Sequence, residues 1–544
     1  MAVNLYVRRV IIAVCSVFLV SIMLIIRLYT LFFVDNESLE VLSGQYTRKN
    51  TVVKREGFVY DTKGELLSHR SEGVVVIVKP DMKKDRNEIV GYLSDFSGYD
   101  FDEILEKYNK NVPFTLKFDT VPEKSPPDGV YFYPSYELAE NSLCRHILGF
   151  YNSDGKGMDG VFKRFEDVID GCSGNLSYKY TANAMGALLD DGLFYIEDRG
   201  YTGQGGVMLT IDAELQREVD RICDEKLDMG AVIISDLSDG SILALSSRPL
   251  YDRDNVAECL ESDRGELINR AFSLYTPGSV FKAVCAAAAL EKDEKFYDLE
   301  YECTGSSDVS GKLFKCHKTD GHGVQNMKQA FANSCNTYFI NLVKEAGFEY
   351  VLTFCNRMGL GESHSIDGFF TDGACIPDIT KKYPDAYKAN FSFGQGELML
   401  SCIDVLDIYS ACATGFKRDF SLLKGVCDDD GKPSEVFMPK TERRILTEET
   451  SAKMREMMKE CVVNGTGKAA WTDRVSVGGK TATAQSGQYR ENEEVLHKWF
   501  AGVFPIDEPR YAVVVLCDGN GMSNGDPRVI FSECAKQVVR ICNN

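Results

Sequence analysis

The chain has 544 residues, enough for about three or four domains of ordinary size. It carries 61 basic and 81 acidic residues, a formal net charge of −20, and 44% of its residues are hydrophobic. This apolar content is typical of a globular protein. The acidic excess argues against nucleic acid as a partner, because phosphate binding needs clustered lysine and arginine.

The N-terminus contains a segment long enough to span a membrane. Val10–Ile26 is an apolar run without charge, and Leu28–Val34 extends it. Together they can cross about 30 Å of hydrocarbon. Arg8 and Arg9 precede the run and acidic residues follow it, so the positive-inside rule predicts a cytoplasmic N-terminus and extracytoplasmic domains. A cleaved signal peptide is the alternative, but it usually has a shorter apolar region and a small-residue cleavage site.

The next part of the chain has a different pattern of residues. Short strand-like runs, such as GFVYD at 57–61 and VVVIVKP at 74–80, alternate with turn-rich stretches such as EKSPPDG at 123–129. The composition changes at a glycine-rich loop, YTGQGG, at 201–206. We therefore predict four segments: a cytoplasmic tail at 1–9, a transmembrane anchor at 10–34, an extended mixed domain at 35–205 and a last domain at 206–544.

The last domain shows strands at both ends and helices between them. Asp239-Gly240 between two apolar runs predicts a β-hairpin. Strands that lie far apart in sequence, with helices between them, predict an α+β fold with one central antiparallel sheet flanked by helices. The predicted elements are a helix at 213–227, the hairpin at 230–247, strands at 474–485, 497–505 and 510–519, and a closing helix at 526–542.

A serine follows a helix-start signal in TPGSVFK, residues 276–282. The Ala-rich stretch after it predicts a helix with Ser279 in its first turn, where unpaired N–H groups favour an alkoxide. Lys282 lies three residues on and shares a face with Ser279. If this helix is buried, desolvation lowers the lysine pKa and makes the amine a usable base. A second Ser-x-x-Lys, Ser421 to Lys424, has no such helix start.

Two later motifs could complete a serine acylation site. In NSCN, Ser334 could relay a proton and Asn336 could hold a substrate amide, although the alternative for a lone Ser-x-Asn is a helix cap. In KTATAQ, Lys480 and Thr481 stand on a strand-like stretch. A cation and a hydroxyl on a strand edge could bind a carboxylate-terminated peptide as an added strand.

Other patterns favour structural readings. The eighteen cysteines show no C-x-x-C or zinc-type spacing, which predicts free, buried thiols. Cys303 and Cys316 flank one loop and are the pair best placed to form a disulfide. His317 and His322 could be called a metal site, but a structural or surface role is favoured, and no metal is predicted. GTGK at 465–468 is similar to a phosphate loop but lacks the following Ser or Thr.

In order and context, these motifs resemble the active site of penicillin-binding proteins and serine β-lactamases. Stretches outside the motifs resemble the class B, monofunctional penicillin-binding proteins of the division and sporulation branch. The resemblance covers almost the whole chain, through REGFVYDTKGELL (55–67), GKGMDGVFKRFEDVIDGCSG (155–174), VMLTIDAELQ (207–216), SCNTYF (334–339), GTGKAA (465–470), GGKTATAQ (478–485) and WFAGVFP (499–505).

The resemblance implies a peptidoglycan D,D-transpeptidase that needs no cofactor. Ser279 would attack a D-Ala-D-Ala stem peptide, release D-Ala and pass the acyl group to a neighbouring stem, and β-lactams would acylate the same serine. Backbone N–H groups of Ser279 and Thr483 would form the oxyanion hole, and Lys480 and Thr481 would bind the carboxylate. The segment at 35–205 would be the pedestal domain. The implied partners are a multi-pass glycosyltransferase and a division or sporulation complex at the cell membrane.

One residue departs from the family pattern. The third motif usually ends Lys-Thr-Gly, and this chain has Ala482 there. A methyl group on the cleft strand could crowd an incoming backbone, which predicts changed affinity rather than lost activity. Two other functions stay open: a D,D-carboxypeptidase or β-lactamase, which would need fast deacylation, and a non-catalytic scaffold or antibiotic sensor.

Overall fold

The structure is a computed structural model that describes residues 2–30, 46–138, 143–152, 154–190, 192–253, 255–371, 373–436, 442–490 and 492–542. Its contacts form two compact units. One contains Met1–Glu56, Ser71–Glu137 and Ser173–Gly203, and the other contains Gly57–Arg70, Leu138–Cys172 and Gln204–Asn544. The units interleave along the chain, whereas the sequence predicts contiguous domains, so the boundaries at 35 and 205 stay predictions.

The described helices and strands are numbered in chain order. The strands are β1 (Thr47–Arg55), β2 (Phe58–Tyr60), β3 (His69–Val78), β4 (Phe114–Phe118), β5 (Val130–Leu138), β6 (Gly174–Thr181), β7 (Phe194–Arg199), β8 (Gly206–Leu209), β9 (Gly230–Asp236), β10 (Ile242–Arg248), β11 (Tyr301–Cys303), β12 (Ser306–Val309), β13 (Lys312–Lys315), β14 (Gly323–Gln325), β15 (His364–Ile366), β16 (Phe369–Thr371), β17 (Phe416–Arg418), β18 (Leu423–Cys427), β19 (Pro433–Val436), β20 (Glu442–Arg444), β21 (Gly478–Arg490), β22 (Glu493–Phe504) and β23 (Tyr511–Cys517). The α-helices are α1 (Ala2–Tyr29), α2 (Arg86–Ser97), α3 (Phe101–Asn109), α4 (Arg145–Leu148), α5 (Gly160–Arg164), α6 (Glu166–Gly171), α7 (Ala213–Lys226), α8 (Val256–Glu261), α9 (Lys282–Lys292), α10 (Met327–Ala332), α11 (Asn336–Ala346), α12 (Phe348–Met358), α13 (Asp385–Ser392), α14 (Cys402–Thr414), α15 (Glu448–Val463) and α16 (Pro527–Cys542).

Helix α1 carries the apolar N-terminal segment. Its part from Val7 to Tyr29 has 23 residues, and an 18-residue window within it has a mean hydropathy of 2.8 and is 0% buried. At 1.5 Å per residue this part is about 35 Å long, enough to cross a bilayer. The sequence predicts an anchor at 10–34, and the structure shows a helix as far as Tyr29; residues 31–34 lie outside the described ranges.

The first unit is built on two three-stranded sheets, in the orders β1-β6-β7 and β4-β3-β5. The valine-rich run of β3 is buried, and Val74, Val76 and Val78 pack with helices α2 and α3 in one core. Alternate residues of a strand point to the same face, which is why these three valines share that core. The mixed α and β character predicted for this region is therefore present.

The central sheet of the second unit has five antiparallel strands in the order β10-β9-β23-β22-β21. Every residue of β9 and β23 is buried, because helices cover both faces. Val232 and Ile234 pack in the core that holds α7 and α16, whereas Ala231 and Ile233 pack in the core that holds α9 and α14. The α+β prediction, the hairpin and the late strands are confirmed.

A smaller sheet of the second unit unites distant segments. Strand β2 pairs in parallel with β8, and β8 pairs antiparallel with β18. Phe58–Tyr60 therefore belongs to this unit, although the sequence predicts it within the domain at 35–205. Parallel pairing joins residues far apart in the chain, and a three-residue strand carries little pattern of its own.

Helix α9 lies at the centre of the second unit. Ala283 and Ala286 through Ala289 are 0% exposed, so methyl groups surround this part of the helix and let neighbouring elements approach closely. The prediction of an Ala-rich core helix after Ser279 is confirmed. The helix is buried from its first residue, Lys282, so this side chain is shielded from water.

Candidate active site

Ser279 lies in a 3-10 turn, Gly278–Phe281, immediately before α9. The sequence predicts it in the first helical turn, and the structure tightens that turn because the chain must pass close to strand β21. Gly278 has φ of +55°, and an added Cβ there would lie 3.0 Å from the Ala484 Cβ and 3.3 Å from the Thr483 oxygen. Only glycine fits this approach, which brings the Ser279 backbone beside Thr483.

Lys282 is the first residue of α9, and its side chain is fully buried. Its Nζ atom lies 2.7 Å from Asn336 Oδ1, 2.8 Å from the Ser334 carbonyl oxygen and 3.4 Å from Ser334 Oγ. Burial, followed by repulsion from Lys480, lowers the Lys282 pKa to about 7. The buried lysine that the sequence analysis required is therefore present, and the amine exchanges its proton near neutral pH.

Ser334 lies in the turn between α10 and α11, and Asn336 is the first residue of α11. Ser334 has φ of +56°, a left-handed conformation that costs a non-glycine residue on the order of 1 kcal/mol. This turn aims the Ser334 oxygens at the Lys282 amine. Cys335 is the N-cap residue of α11 but makes no side-chain cap hydrogen bond, so the helix-cap alternative for this motif does not apply. Asn336 Nδ2 also donates to the Lys315 oxygen, at 3.3 Å.

Strand β21 carries Lys480, Thr481 and Thr483 and forms one edge of the central sheet. Lys480 is fully buried, and burial lowers its pKa to about 8. Its Nζ atom donates to the Thr481 carbonyl oxygen at 3.0 Å. Thr481 and Thr483 are more exposed than Lys480 and Ala482, because successive side chains of a strand point to opposite faces.

The predicted residues meet around a cleft of about 1160 Å³. Five of them line it: Ser279, Ser334, Asn336, Thr481 and Thr483. The two lysines lie behind the lining, where burial removes their solvation. The structure thus brings the three motifs together, whereas the catalytic and binding roles assigned to each residue remain predictions.

Ala482 lies mostly in the core. It is 5% exposed, pairs with Trp499 across the strands and packs in the same core as α9, although it also borders the cleft. Trp499 is fully buried, and its Nε1 donates to the Thr276 carbonyl oxygen at 3.1 Å, so its ring packs within the strands. The Ala482 methyl therefore fills core volume beside an aromatic ring.

The structure adds residues to which the sequence analysis gave no role. Thr466 Oγ1 lies 2.7 Å from Thr481 Oγ1, and Arg528 Nη1 donates to the Thr466 carbonyl oxygen at 2.9 Å. Thr466, Asp526 and Arg528 also line the cleft. The GTGKAA stretch pointed to Thr466 only through the family resemblance, because a loop threonine has no spacing rule that links it to a strand 15 residues away.

Two further sequence readings can be compared with the structure. Lys424 donates to the Thr62 oxygen and hydroxyl, and Ser421 binds Asp367, so the second Ser-x-x-Lys is structural as expected. Cys303 and Cys316, the pair judged best placed to form a disulfide, do not form one, because both thiols are free. Their loop instead directs both sulfurs toward a histidine.

Comparison with known proteins identifies the same region. The family model "Penicillin binding protein transpeptidase domain" matches residues 230–535. Stage V sporulation protein D of Bacillus subtilis is 30% identical over 72% of this chain and 60% of its own length, so the chain spans less than two thirds of that relative. Peptidoglycan D,D-transpeptidase MrdA of Haemophilus influenzae is 25% identical over 96% of this chain and 90% of its own length.

A solved structure shares the fold along nearly the entire chain. The structure titled "Structural coordination of polymerization and crosslinking by a peptidoglycan synthase complex" contains a chain that matches this one with a TM-score of 0.69 at 20% identity. The match covers 97% of both chains. With a family model that matches more than half of its residues, and with the three motifs around one cleft, the chain belongs to the penicillin-binding protein transpeptidase family.

Proposed function

We propose that the chain is a peptidoglycan D,D-transpeptidase that cross-links stem peptides through an acyl-enzyme at Ser279. The observation that carries this proposal is the environment of the Lys282 amine. A neutral amine has two N–H groups and one lone pair. The two N–H groups can donate to Asn336 Oδ1 and to the Ser334 carbonyl, at 2.7 and 2.8 Å. The lone pair is then free to accept a proton from a hydroxyl.

The first half-reaction acylates the enzyme. Ser279 Oγ forms a bond to the carbonyl carbon of the penultimate D-Ala, and its proton passes to Lys282, directly or through Ser334. The peptide C–N bond breaks, and the same proton goes to the nitrogen of the departing D-Ala. Backbone N–H groups of Ser279 and Thr483 stabilise the oxyanion; the close approach of the Gly278 turn to β21 supports this assignment.

The second half-reaction transfers the acyl group. The amine of a neighbouring stem peptide attacks the ester carbon, and the bond to Ser279 Oγ breaks. The proton lost by the attacking amine returns to Ser279 Oγ through Lys282 and Ser334. The cleft volume of about 1160 Å³ exceeds the range of roughly 300–1,000 Å³ usual for small-ligand pockets, which favours a site that receives two peptides.

Strand β21 supplies the edge on which a donor peptide would bind. It is the terminal strand of the five-stranded sheet, and its residues Thr481 and Thr483 border the cleft. An extended peptide can add to such an edge through main-chain hydrogen bonds. Thr481 would bind the terminal carboxylate, and the charge of Lys480 behind it would attract the same group. A β-lactam would use the same contacts and acylate the same serine.

The membrane anchor and partners complete the proposal. Arg8 and Arg9 precede the apolar run of α1, which favours a cytoplasmic N-terminus and an extracytoplasmic cleft. The relative of known structure belongs, by its title, to a peptidoglycan synthase complex. We therefore expect a multi-pass glycosyltransferase to supply the glycan strands, within a division or sporulation complex.

Labelling with a fluorescent penicillin tests the nucleophile. The full-length chain in detergent should acquire a stable label, and peptide mass spectrometry should find it on Ser279. Ser279→Ala should abolish the label, whereas Ser421→Ala should retain it, since Ser421 lies in the structural Ser-x-x-Lys. An unlabelled wild-type chain would favour the non-catalytic scaffold.

A donor peptide ending in D-Ala-D-Ala, mixed with a labelled D-amino acid, separates transfer from hydrolysis. A transpeptidase should join the labelled amine to the donor and release D-Ala. Release of D-Ala without incorporation of the label would instead indicate a carboxypeptidase. Rapid loss of the penicillin label, with hydrolysed drug as product, would indicate a β-lactamase.

A further inference from the structure

Four side chains that commonly bind metals meet next to the cleft. The Sγ atoms of Cys303, Cys316 and Cys335 and a ring nitrogen of His322 all lie within 4.8 Å of one another. Along the sequence the cysteines are dispersed without metal-binding spacing, so the sequence predicts no metal. In the fold, these residues come from four separate places on the loops and strands between α9 and α11. His317, the other histidine of the loop, is not part of this set.

The distances fit one tetrahedral ion. His322 Nδ1 lies 3.5 Å from Cys303 Sγ and 3.5 Å from Cys316 Sγ, and the Cys316 and Cys335 sulfurs are 4.0 Å apart. Bonds of about 2.3 Å to sulfur and 2.0–2.1 Å to nitrogen, at tetrahedral angles, place ligand atoms about 3.6 Å apart for S and N and about 3.8 Å apart for S and S. The observed spacing is therefore close to that of a zinc site.

The local fold holds these ligands in place. Cys303 ends β11 and pairs with Gly323 of β14, so His322 comes from the adjoining turn. Cys316 directly follows β13. Two glycines allow the loops to touch: an added Cβ at Gly305 would lie 1.9 Å from the Thr319 oxygen, and one at Gly321 would lie 2.2 Å from the Cys303 oxygen.

Burial and hydrogen bonding suit thiolate ligands. The three cysteines are at most 3% exposed, and His322 is half-buried. Besides His322, the Cys316 sulfur has two further neighbours within hydrogen-bonding distance, Cys335 Sγ and His317 Nδ1, each at 4.0 Å. A thiolate, not a thiol, is the form that binds a metal. The cluster is thus arranged to hold negative charge in a place shielded from water.

We propose that Cys303, Cys316, His322 and Cys335 bind one structural Zn²⁺ ion. Three thiolates and one imidazole fill the four positions that zinc prefers, which leaves none for catalysis. Soft sulfur ligands select zinc over magnesium or calcium. Binding releases the protons of the thiols, so occupancy falls as the pH is lowered.

The position of Cys335 gives the metal a consequence for the cleft. Cys335 lies between Ser334 and Asn336, whose oxygens hold the Lys282 amine. A metal bond at Cys335 fixes the left-handed turn at Ser334, which is otherwise strained. The ion therefore acts as a positioning group: it should affect the rate of Ser279 acylation without touching the substrate.

Metal analysis of the full-length chain tests the proposal. Elemental mass spectrometry of protein purified from zinc-containing medium should find close to one zinc per chain. Cys316→Ala should bind close to none. Cys355→Ala is the matched control, because Cys355 is also fully buried but lies in α12, outside the cluster, and it should bind zinc as the wild type does.

Cobalt and chelation provide readouts that do not depend on the folding of a variant. Wild-type protein loaded with Co²⁺ should show the visible bands of tetrahedral thiolate-bound cobalt. Removal of zinc by a strong chelator should lower the thermal midpoint and slow penicillin acylation, and added zinc should restore both. Wild-type protein without zinc and without cobalt bands would overturn the proposal, and so would a disulfide within the cluster or full zinc content in Cys316→Ala.

Discussion

The amine of Lys282 lies 2.7 Å from Oδ1 of Asn336, although the two residues belong to different motifs and are 54 residues apart in the chain. An amide oxygen accepts a hydrogen bond but carries no charge, so this contact orients the amine without stabilising its protonated form as a carboxylate would. Burial supplies the rest, since it lowers the Lys282 pKa to about 7. In the proposed mechanism, this pair supplies the base that activates Ser279 at neutral pH.

Replacing the amide by a carboxylate should disable that base. In Asn336→Asp the shape is kept, but a negative charge beside Lys282 raises the lysine pKa by about 1–3 units. Penicillin acylation at pH 7 should then fall by about 5- to 500-fold, because half of the wild-type amine is already protonated at that pH, and its rise with pH should move to higher pH. Stopped-flow measurement of acylation at several pH values checks both effects.

Asn341→Asp is the matched control for this variant. Asn341 lies in the same helix, α11, and is half-buried, but it lines a different cavity. Its acylation rate and pH profile should stay close to those of the wild type. An equal loss of rate in both variants would mean that the effect comes from charge in the helix rather than from the contact with Lys282.

The hydroxyl of Thr466 should matter for substrate binding. Thr466 Oγ1 lies 2.7 Å from Thr481 Oγ1, the group proposed to bind the terminal carboxylate. Thr466→Val keeps the shape but removes this hydrogen bond, worth about 1 kcal/mol, so KM for a donor peptide should rise about three- to tenfold. Thr466→Ser keeps the hydroxyl and should behave like the wild type; equal KM values for all three proteins would refute the role.

Ala482, which stands where the family motif has glycine, should affect the stability of the fold more than the rate of acylation. Its side chain is 5% exposed and packs beside Trp499. Ala482→Gly removes a buried methyl group and adds backbone freedom, which together destabilise by about 1–2 kcal/mol. We expect a thermal midpoint lower by a few degrees and a β-lactam acylation rate changed by less than about tenfold. A much larger gain in acylation would show that the methyl crowds the cleft.

Local patterns predicted the elements that depend on nearby residues. Asp239-Gly240 marked the hairpin of β9 and β10, and continuous apolar runs marked β22 and β23. The 3-10 turn at Ser279 could not be predicted, because its tightness comes from contact between Gly278 and Ala484, about 200 residues later. Periodicity describes one element at a time and carries no information on such approaches.

The proposed metal site also could not be predicted from sequence patterns. Zinc motifs are recognised by pairs of ligands at short spacing, and here Cys303, Cys316, His322 and Cys335 occur singly. They meet only because β11 pairs with β14 and the turn before α11 folds back toward them. Motif order, by contrast, was enough to predict that the residues of the active-site cleft lie together.

The pH dependence of penicillin acylation tests the central claim most directly. If neutral Lys282 activates Ser279, the second-order rate constant should rise about tenfold per pH unit below an apparent pKa of about 7. It should fall again at higher pH as Lys480, whose pKa is about 8, loses the charge that attracts the carboxylate. A rate that stays constant from pH 5 to 9 would contradict the account, because Lys282 would then play no part as the base.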